Sequence, residues 1–314
     1  MTPIVSVCVL TYNHEKYIRQ CLEGIMSQKC SFPFEVLIHD DASSDGTAEI
    51  IREFEERYPD VIKPIYETEN QYSKGMANIS ALFNFPRAAG RYIAMCEGDD
   101  YWNDESKLEK QISYMELNEG CTISFHSAHM ISDGKLAPKL MRPYRSDLMI
   151  DPEDIIDETV GYPMASMIVR TKIMMELPDF YMDAPIGDIP MQLLMAAHGY
   201  GWYIDEPMCT YRYGVPGSFT AGMFSEDAER IQSEYAVSIV HMYEQYDNYT
   251  HEKYHEAVLS AARRVWYSTM VNLKKWDEIF SEENRPFYKE LTFLTRLGLR
   301  FERYFPGLYR LLKG

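Results

Sequence analysis

Four short apolar runs, each ending in a polar or acidic cluster, constrain this chain more than anything else in it. Ile4 to Leu10 runs into Thr11-Tyr12-Asn13, and Phe34 to His39 into Asp40-Asp41. Val61 to Tyr66 is a third run, and Arg91 to Cys96 ends in Glu97-Gly98-Asp99-Asp100. Runs this short and rich in β-branched residues are the mark of strands buried on both faces. Between them lie segments of helical period. Ile18, Cys21, Leu22 and Ile25 share a face between about Tyr17 and Ser27, and Ile50, Ile51 and Phe54 do so after Gly46-Thr47. A short helix is expected over Ala81 to Ala88. Strand–helix alternation predicts an α/β fold with a doubly wound sheet. Such sheets bind ligands at the carboxyl ends of their strands, so the clusters at Thr11–Asn13, Asp40–Asp45 and Glu97–Asp100 are expected to converge.

Further along, Lys107 to Leu117 reads as a helix, and Cys121 to His126 and Met164 to Arg170 as strands. Asp188 to His198 reads as a helix opened by Gly187-Asp188 with Pro190 in its first turn, and Trp202 to Tyr213 as a strand. From about Ser225 the pattern is helical, with long stretches over Glu226 to Tyr246 and His251 to Glu282. These changes divide the chain into a sheet-containing region, 1–222, and a helical C-terminal region, 223–314.

Composition closes off several function classes. With 46% hydrophobic and 25% charged residues the chain can pack a core and is not a disordered polymer. The net charge of −17 argues against nucleic acid as the main partner. No apolar run approaches the ~20 residues of a membrane-spanning helix, and Met1-Thr2-Pro3 carries no basic leader. The six cysteines are scattered without a Cys-x-x-Cys pair, which reads as reduced thiols in a cytosolic protein rather than as a zinc site or a disulfide framework.

Asp99-Asp100, preceded by Glu97, is the strongest chemical signal. Adjacent carboxylates repel one another unless a cation is present, and Mg²⁺ favours one or two carboxylates together with phosphate oxygens. A solvated acidic turn is the plain alternative, but the pair follows a buried strand and faces a second acidic cluster. In that second cluster Ser44 or Asp45 can cap the next helix. Asp41 is then left spare to accept a hydrogen bond from a pyrimidine N–H.

Val5 to Asn13, then Asp40-Asp41-Ala42-Ser43-Ser44-Asp45-Gly46-Thr47, then Gly98-Asp99-Asp100 resemble, in order and spacing, the three signatures of family 2 glycosyltransferases, which have the GT-A fold. The resemblance spans roughly residues 4–215. It implies inverting transfer from a nucleotide-sugar, usually a UDP-sugar, with a divalent cation such as Mn²⁺ or Mg²⁺. It carries Thr11, Tyr12, Asn13 and Asp41 over as nucleotide-sugar contacts. Asp99 and Asp100 correspond to the aspartate motif at ribose, metal and diphosphate. Asp188 falls where the family places its catalytic base; the alternatives are an N-cap aspartate at this position and Asp183 as the base. A helix N-terminus is expected to lower the pKa of Asp188. Arg212, within Tyr211-Arg212-Tyr213, resembles the Tyr-Arg segment near the diphosphate, and Ser218 is a second phosphate candidate. A structural arginine is the equal alternative. Many relatives have histidine where this chain has Gly214, which removes a metal ligand from that loop. Tyr101-Trp102 either stacks on a sugar or packs in the core. His14, His39, His126, His129 and His198 read as surface or packing residues. A Gln-x-x-Arg-Trp segment is missing, which speaks against processive polymer synthesis.

The C-terminal thirty residues stand apart. Residues 285–314 hold seven bases against Glu290 and Glu302, a net of +5, so the rest of the chain carries −22. Over Lys289 to Phe305 a single helix would set Lys289, Arg296, Arg300 and Arg303 on one face, with Leu291, Leu294, Leu297 and Phe301 on the other, before Pro306 ends it. A basic amphipathic helix can lie on an anionic membrane or pack on its own domain. The expectation is a cytoplasmic-side enzyme transferring sugar to a glycan or lipid-linked acceptor, with peripheral membrane contact through this tail. A sugar-1-phosphate nucleotidyltransferase is disfavoured by the lack of a Gly-rich basic loop after the first strand. A non-catalytic nucleotide-sugar-binding or assembly protein is disfavoured by the intact acidic residues.

Overall fold

A computed structural model describes residues 2–132, 134–157, 162–223 and 227–313, with the side chains of Phe219, Thr220 and 310–313 outside that description. The expected helix start at Ser225 and Glu226 lies outside it, as do the side chains of the tail bases Arg310 and Lys313.

The first half follows the apolar runs closely. Strands β1 (Val5–Thr11), β2 (Phe34–Asp40), β3 (Ile62–Tyr66) and β4 (Tyr92–Met95) pair in parallel in the order β3-β2-β1-β4. Helices α1 (Ile18–Met26) and α2 (Thr47–Arg57) connect them and bury the faces their spacing marked. Residues 80–87 form a tight π and 3₁₀ turn in place of a regular helix. Registers pair Thr11 with Asp40 and Cys8 with Met95, so β1, β2 and β4 end at one edge.

Two-residue strand β5 (Tyr101–Trp102) leads into α3 (Lys107–Leu117), then β6 (Cys121–Ser132), β7 (Lys135–Leu136) and β8 (Leu148–Ile150). Next come α4 (Pro152–Asp157), β9 (Ile168–Arg170), α5 (Asp179–Met182), α6 (Asp188–His198) and β10 (Tyr200–Tyr213). The strand expected over Met164 to Arg170 is shorter, because Met164–Ser166 is a 3₁₀ turn. Strand β9 runs antiparallel to both β4 and β6, while β10 pairs in parallel with β6, so the sheet is mixed. The far end of β10 bends back to pair with β5, Cys209 opposite Trp102 and Thr210 opposite Tyr101. That return carries Arg212 over the acidic turn.

Helices α7 (Phe219–Gly222), α8 (Ala228–Tyr249), α9 (His255–Asn272), α10 (Trp276–Ile279), α11 (Arg285–Glu290), α12 (Phe293–Tyr304) and α13 (Pro306–Lys313) complete the chain. Ile239, Met242, Tyr243 and Tyr246 of α8 and Tyr254, Val258 and Ala261 at the start of α9 are buried in the same cluster as Phe125, Leu193 and Tyr203. Tyr267, Ile279 and Leu299 form a small second cluster beyond it.

Two expectations for the C-terminal region need correction. The stretch His251 to Glu282 is broken at Lys274, whose φ of 57° places it in the left-handed region. The single helix expected over Lys289 to Phe305 is also broken, at Leu291–Thr292, where Thr292 caps α12 by accepting the Thr295 N–H at 3.1 Å. The apolar period was therefore misassigned: Leu291 packs on the second cluster and Leu299 is the buried residue of α12, while Leu294 and Leu297 are exposed. Among the described residues no helix is long and apolar enough to cross a membrane.

Candidate active site at the carboxyl edge of the sheet

The three polar clusters meet, and backbone bonds join them. The Gly98 N–H donates to Leu10 O at 2.9 Å and the Asp41 N–H to Thr11 O at 3.0 Å. Asn13, at φ 54°, accepts the Ser44 N–H on Oδ1 at 2.8 Å while its own N–H donates to Ser43 Oγ at 2.8 Å. Asp45 accepts the N–H groups of Thr47 and Glu15 at the α2 entrance, while the N-cap position itself is Gly46, without a side-chain cap bond, so neither Ser44 nor Asp45 occupies it. Ala42 sits at φ 62°, a strained value for a residue with a Cβ, with its N–H donating to Asp40 O at 2.9 Å.

Asp41 is not spare. It is 1% exposed, and its two carboxylate oxygens accept the backbone N–H groups of Gln71 (2.7 Å) and Tyr72 (3.1 Å), tying the 70–75 segment to the strand edge. Asn13 is likewise spent on the turn. Thr11 is buried with its hydroxyl oxygen unpartnered, and Tyr12 is exposed beside it.

The acidic turn is packed from every side. A Cβ on Gly98 would stand 2.6 Å from Thr11 Oγ1 and 2.9 Å from His14 Nδ1, so only glycine fits where β1 and β4 converge. Asp100 is 1% exposed; its Oδ1 accepts the Arg212 N–H at 2.8 Å while Oδ2 has no partner. Burial first, then the charges of Asp99 and Glu97, push the Asp100 carboxyl well above the usual range, against the pull of the Arg212 N–H. Burial, with Asp99 and Asp188 nearby, pushes Glu97 up to about 8. His14, read as a surface or packing residue, faces Asp99 with Nε2 4.0 Å from Oδ2, and burial keeps its pKa low. Its place directly after Asn13 was the available signal.

Asp188 reaches this cluster from α6, and its charge is felt by Glu97. Its pKa is raised, not lowered: burial outweighs the hydrogen bonds from the N–H groups of Ile189 (2.9 Å) and of Asp188 itself. The helix terminus does act in the expected direction but is the smaller effect. Asp183, the alternative base, is exposed and bonded to Gln245 on α8. Asn78 escaped the sequence reading because its partners are more than a hundred residues away. Its Nδ2 donates to the carbonyls of Tyr181 (2.9 Å) and Ala184 (3.1 Å), fixing the turn that leads to Asp188.

Arg212 is held in place. Its guanidinium lies between the rings of Tyr17 (5.0 Å) and Tyr101 (4.7 Å) and donates to Asp99 O and to Gln20 Oε1 (2.5 Å). Tyr101 thus clamps this arginine, and Trp102 is core, its Nε1–H donating to Ala165 O at 3.0 Å. Gly214 follows at φ 72°, a conformation that disfavours any side chain, and Ser218 stays within its own turn, where Oγ accepts the Ala221 N–H.

The donor set fits a divalent cation shared with a ligand. Among the described residues there is no group of three or more His, Cys, Asp or Glu able to enclose a metal by themselves. Asp99 and Asp100 offer carboxylate oxygens, one of them buried and unpartnered, which suits an ion completed by phosphate oxygens and water.

The sequence model of "Glycosyl transferase family 2" matches residues 6–172, more than half of the chain. The chain belongs to that family. It is 33% identical over 223 residues to the uncharacterized protein Rv1520 of Mycobacterium tuberculosis, covering 68% of this chain and 60% of that one. It is 31% identical over 144 residues to UDP-Glc:alpha-D-GlcNAc-diphosphoundecaprenol beta-1,3-glucosyltransferase WfgD of Escherichia coli, covering 45% and 52%. The chain thus spans about 60% or less of the length of these relatives. Among solved structures, S. aureus TarS 1–349 in complex with UDP-GlcNAc superposes with a TM-score of 0.56 at 18% identity, over 95% of this chain and 87% of that one. The mannosyltransferase PcManGT from Pyrobaculum calidifontis, in complex with GDP-Man and Mn²⁺, gives 0.51 at 18%, over 99% and 83%. At such identities the superpositions establish the GT-A fold of this family 2 chain.

Proposed function

We propose that this chain is an inverting, divalent-cation-dependent glycosyltransferase that moves a sugar from a nucleotide-diphosphate donor, a UDP-sugar, to a hydroxyl of a glycan or lipid-linked glycan at the cytoplasmic face of the membrane. The observation that carries the proposal is that Glu97, between strand β4 and the Asp99-Asp100 pair at the carboxyl edge of a family 2 sheet, lies within reach of the charges of both Asp99 and Asp188. WfgD by its name and TarS by its bound ligand point to uridine donors.

Thr11 and Tyr12 contact the nucleoside, and Asp41 acts behind them by holding the Gln71 and Tyr72 backbone. Tyr12 lies next to Thr11, and Asp41 orders Tyr72 opposite. Asp99 and Asp100 would hold the cation at the diphosphate. When bound, that ion supplies the positive charge that stabilises the departing diphosphate. Arg212 keeps the acidic turn rigid through Asp99 O and its N–H bond to Asp100. Asp188 takes the proton of the acceptor hydroxyl as that oxygen bonds to the anomeric carbon. The bond from that carbon to the diphosphate oxygen breaks, its electron pair leaving with the nucleotide. Attack from the face opposite the leaving group inverts the anomeric centre. Burial raises both carboxyls, Glu97 to about 8 with Asp99 and Asp188 beside it, and of the two it is Asp188, at the start of α6, to which the base role is given.

Incubation with a panel of UDP-, GDP- and dTDP-sugars, with Mn²⁺ and a pooled glycan acceptor, tests the proposal by release of free nucleoside diphosphate. Release of pyrophosphate instead would mark a nucleotidyltransferase. No turnover together with tight donor binding would mark a binding protein.

A further inference from the structure

The tail, residues 285–314, is a stretch of this acidic chain in which bases outnumber acids, and folding sorts them unequally. Its two acids are spent on the body: Glu290 pairs with Arg264 at 2.6 Å and Glu302 with Lys274 at 2.9 Å. Arg303 pairs with Asp277 at 3.0 Å and Arg285 with Glu282 at 3.1 Å. Lys289, Arg296 and Arg300 have no ion pair to any described residue. They line a cavity of about 290 Å³ between α10, α11 and α12, together with Arg285, Tyr288 and Phe280. Arg300 lies against the Tyr288 ring at 5.6 Å, and Arg296 Nε is buried with no acceptor. Lys289 comes from α11 and Arg296 and Arg300 from α12, so the three bases that helical spacing placed on one face of a single helix line a cavity between separate helices instead. Glu282 is the acidic residue at its edge.

Beside the cavity α12 presents apolar side chains to solvent. Phe293 is 70% exposed, Leu294 76% and Leu297 53%, and Tyr304, Phe305 and Leu308 further along the chain are exposed as well. A contiguous apolar patch rimmed by unpaired cations matches a surface that is apolar at depth and anionic at the rim.

We propose that this region is a membrane-docking site. A phosphate of an anionic lipid headgroup enters the cavity at Lys289, Arg296 and Arg300, and Phe293, Leu294 and Leu297 enter the acyl boundary beside it. The unpaired cations supply charge complementarity, and the buried Arg296 Nε–H supplies a donor without an acceptor. The body, at −22, is repelled by such a surface, so contact is confined to this end and is peripheral and salt-sensitive. The proposal is independent of sugar transfer.

The test is co-sedimentation of the full-length chain with phosphatidylcholine vesicles, with and without phosphatidylglycerol, at low and high salt. Binding is expected only with phosphatidylglycerol and is lost at high salt. Bases near an anionic surface contribute about fivefold each, so Lys289→Gln with Arg300→Gln should lower the partition coefficient by about 30-fold. Leu294→Ser with Leu297→Ser should abolish binding. All four side chains are exposed, and circular dichroism and melting verify that the variants are folded; the salt and lipid dependence of the unaltered chain decides the matter if they are not. Equal pelleting with both vesicle types, or none with either, overturns the proposal. So does full binding by the Lys289/Arg300 variant. Saturable binding of inorganic phosphate without vesicle binding would make the cavity a site for a free anion. A dimer that the Leu294/Leu297 variant dissolves, again without vesicle binding, would make α12 a contact between two copies.

Discussion

The backbone N–H of Arg212 donates to Asp100 Oδ1 at 2.8 Å, across 112 residues of sequence. One residue therefore fixes the acidic turn twice, through this bond and through its guanidinium on Asp99 O. The first depends on the path of β10 and survives substitution; the second does not. Arg212→Met should loosen the turn without releasing Asp100. We expect kcat/KM to fall by at least about tenfold and Tm by several degrees, since a cation flanked by two rings contributes about 0.5–2 kcal/mol. Unchanged kinetics with an unchanged Tm would remove the clamp.

Burial first, and then mutual repulsion, raises Asp100 and Glu97, and cation binding is expected to offset both. Adding Mn²⁺ with UDP should raise the Tm of the native chain, because a ligand that binds only the folded state stabilises it. Asp100→Asn should abolish that rise along with turnover. Its ligand-free Tm should match or exceed the native value, since a desolvated carboxylate becomes a neutral amide. Full activity in excess EDTA would refute the cation.

Asp188→Asn should lower kcat by about 10²-fold or more and leave donor affinity almost unchanged, because a base acts in the transition state. Near-normal turnover would leave Asp188 as a helix-terminal residue only.

The acid limb of kcat follows from the same side chain. A base must be ionised, and burial raises the pKa of Asp188, so activity should fall with decreasing pH at values above those of an ordinary aspartate. The linked stability effect has the opposite sign. An acid whose folded pKa is raised favours the fold most when protonated, so this contribution declines as pH rises through the folded pKa. The Tm difference between native chain and Asp188→Asn should therefore widen from acidic to neutral pH. A constant difference would mean that Asp188 is not the group responsible.

Gly98→Ala should be among the most damaging single changes at the site. Its Cβ would meet Thr11 and His14 below 3 Å, forcing β1 and β4 apart where the clusters join. We expect lost turnover and a lower Tm, checked by activity assay and calorimetry.

Apolar runs and helical spacing along the chain determined the parallel half of the sheet, the sites of α1, α2, α3 and α6, and the edge at which Thr11, Asp41, Asp99 and Asp100 gather. These are local matters: a strand buried on both faces is mostly apolar, and its polar end marks the edge of the sheet. Tertiary structure decided what each of those residues does. Asp41 gave its lone pairs to Gln71 and Tyr72, Asn13 became part of a turn, and Arg212 was caught between Tyr17 and Tyr101. The direction of the Asp188 shift was likewise beyond the sequence, which shows the helix terminus but not the desolvation that outweighs it. In the tail a capping threonine set the break that uniform spacing concealed, and ion pairs to Arg264, Lys274 and Asp277 chose which charges stayed free. Hydrogen-bond partners, burial and charge pairing depend on atoms brought together from distant parts of the chain, and periodicity holds no record of them.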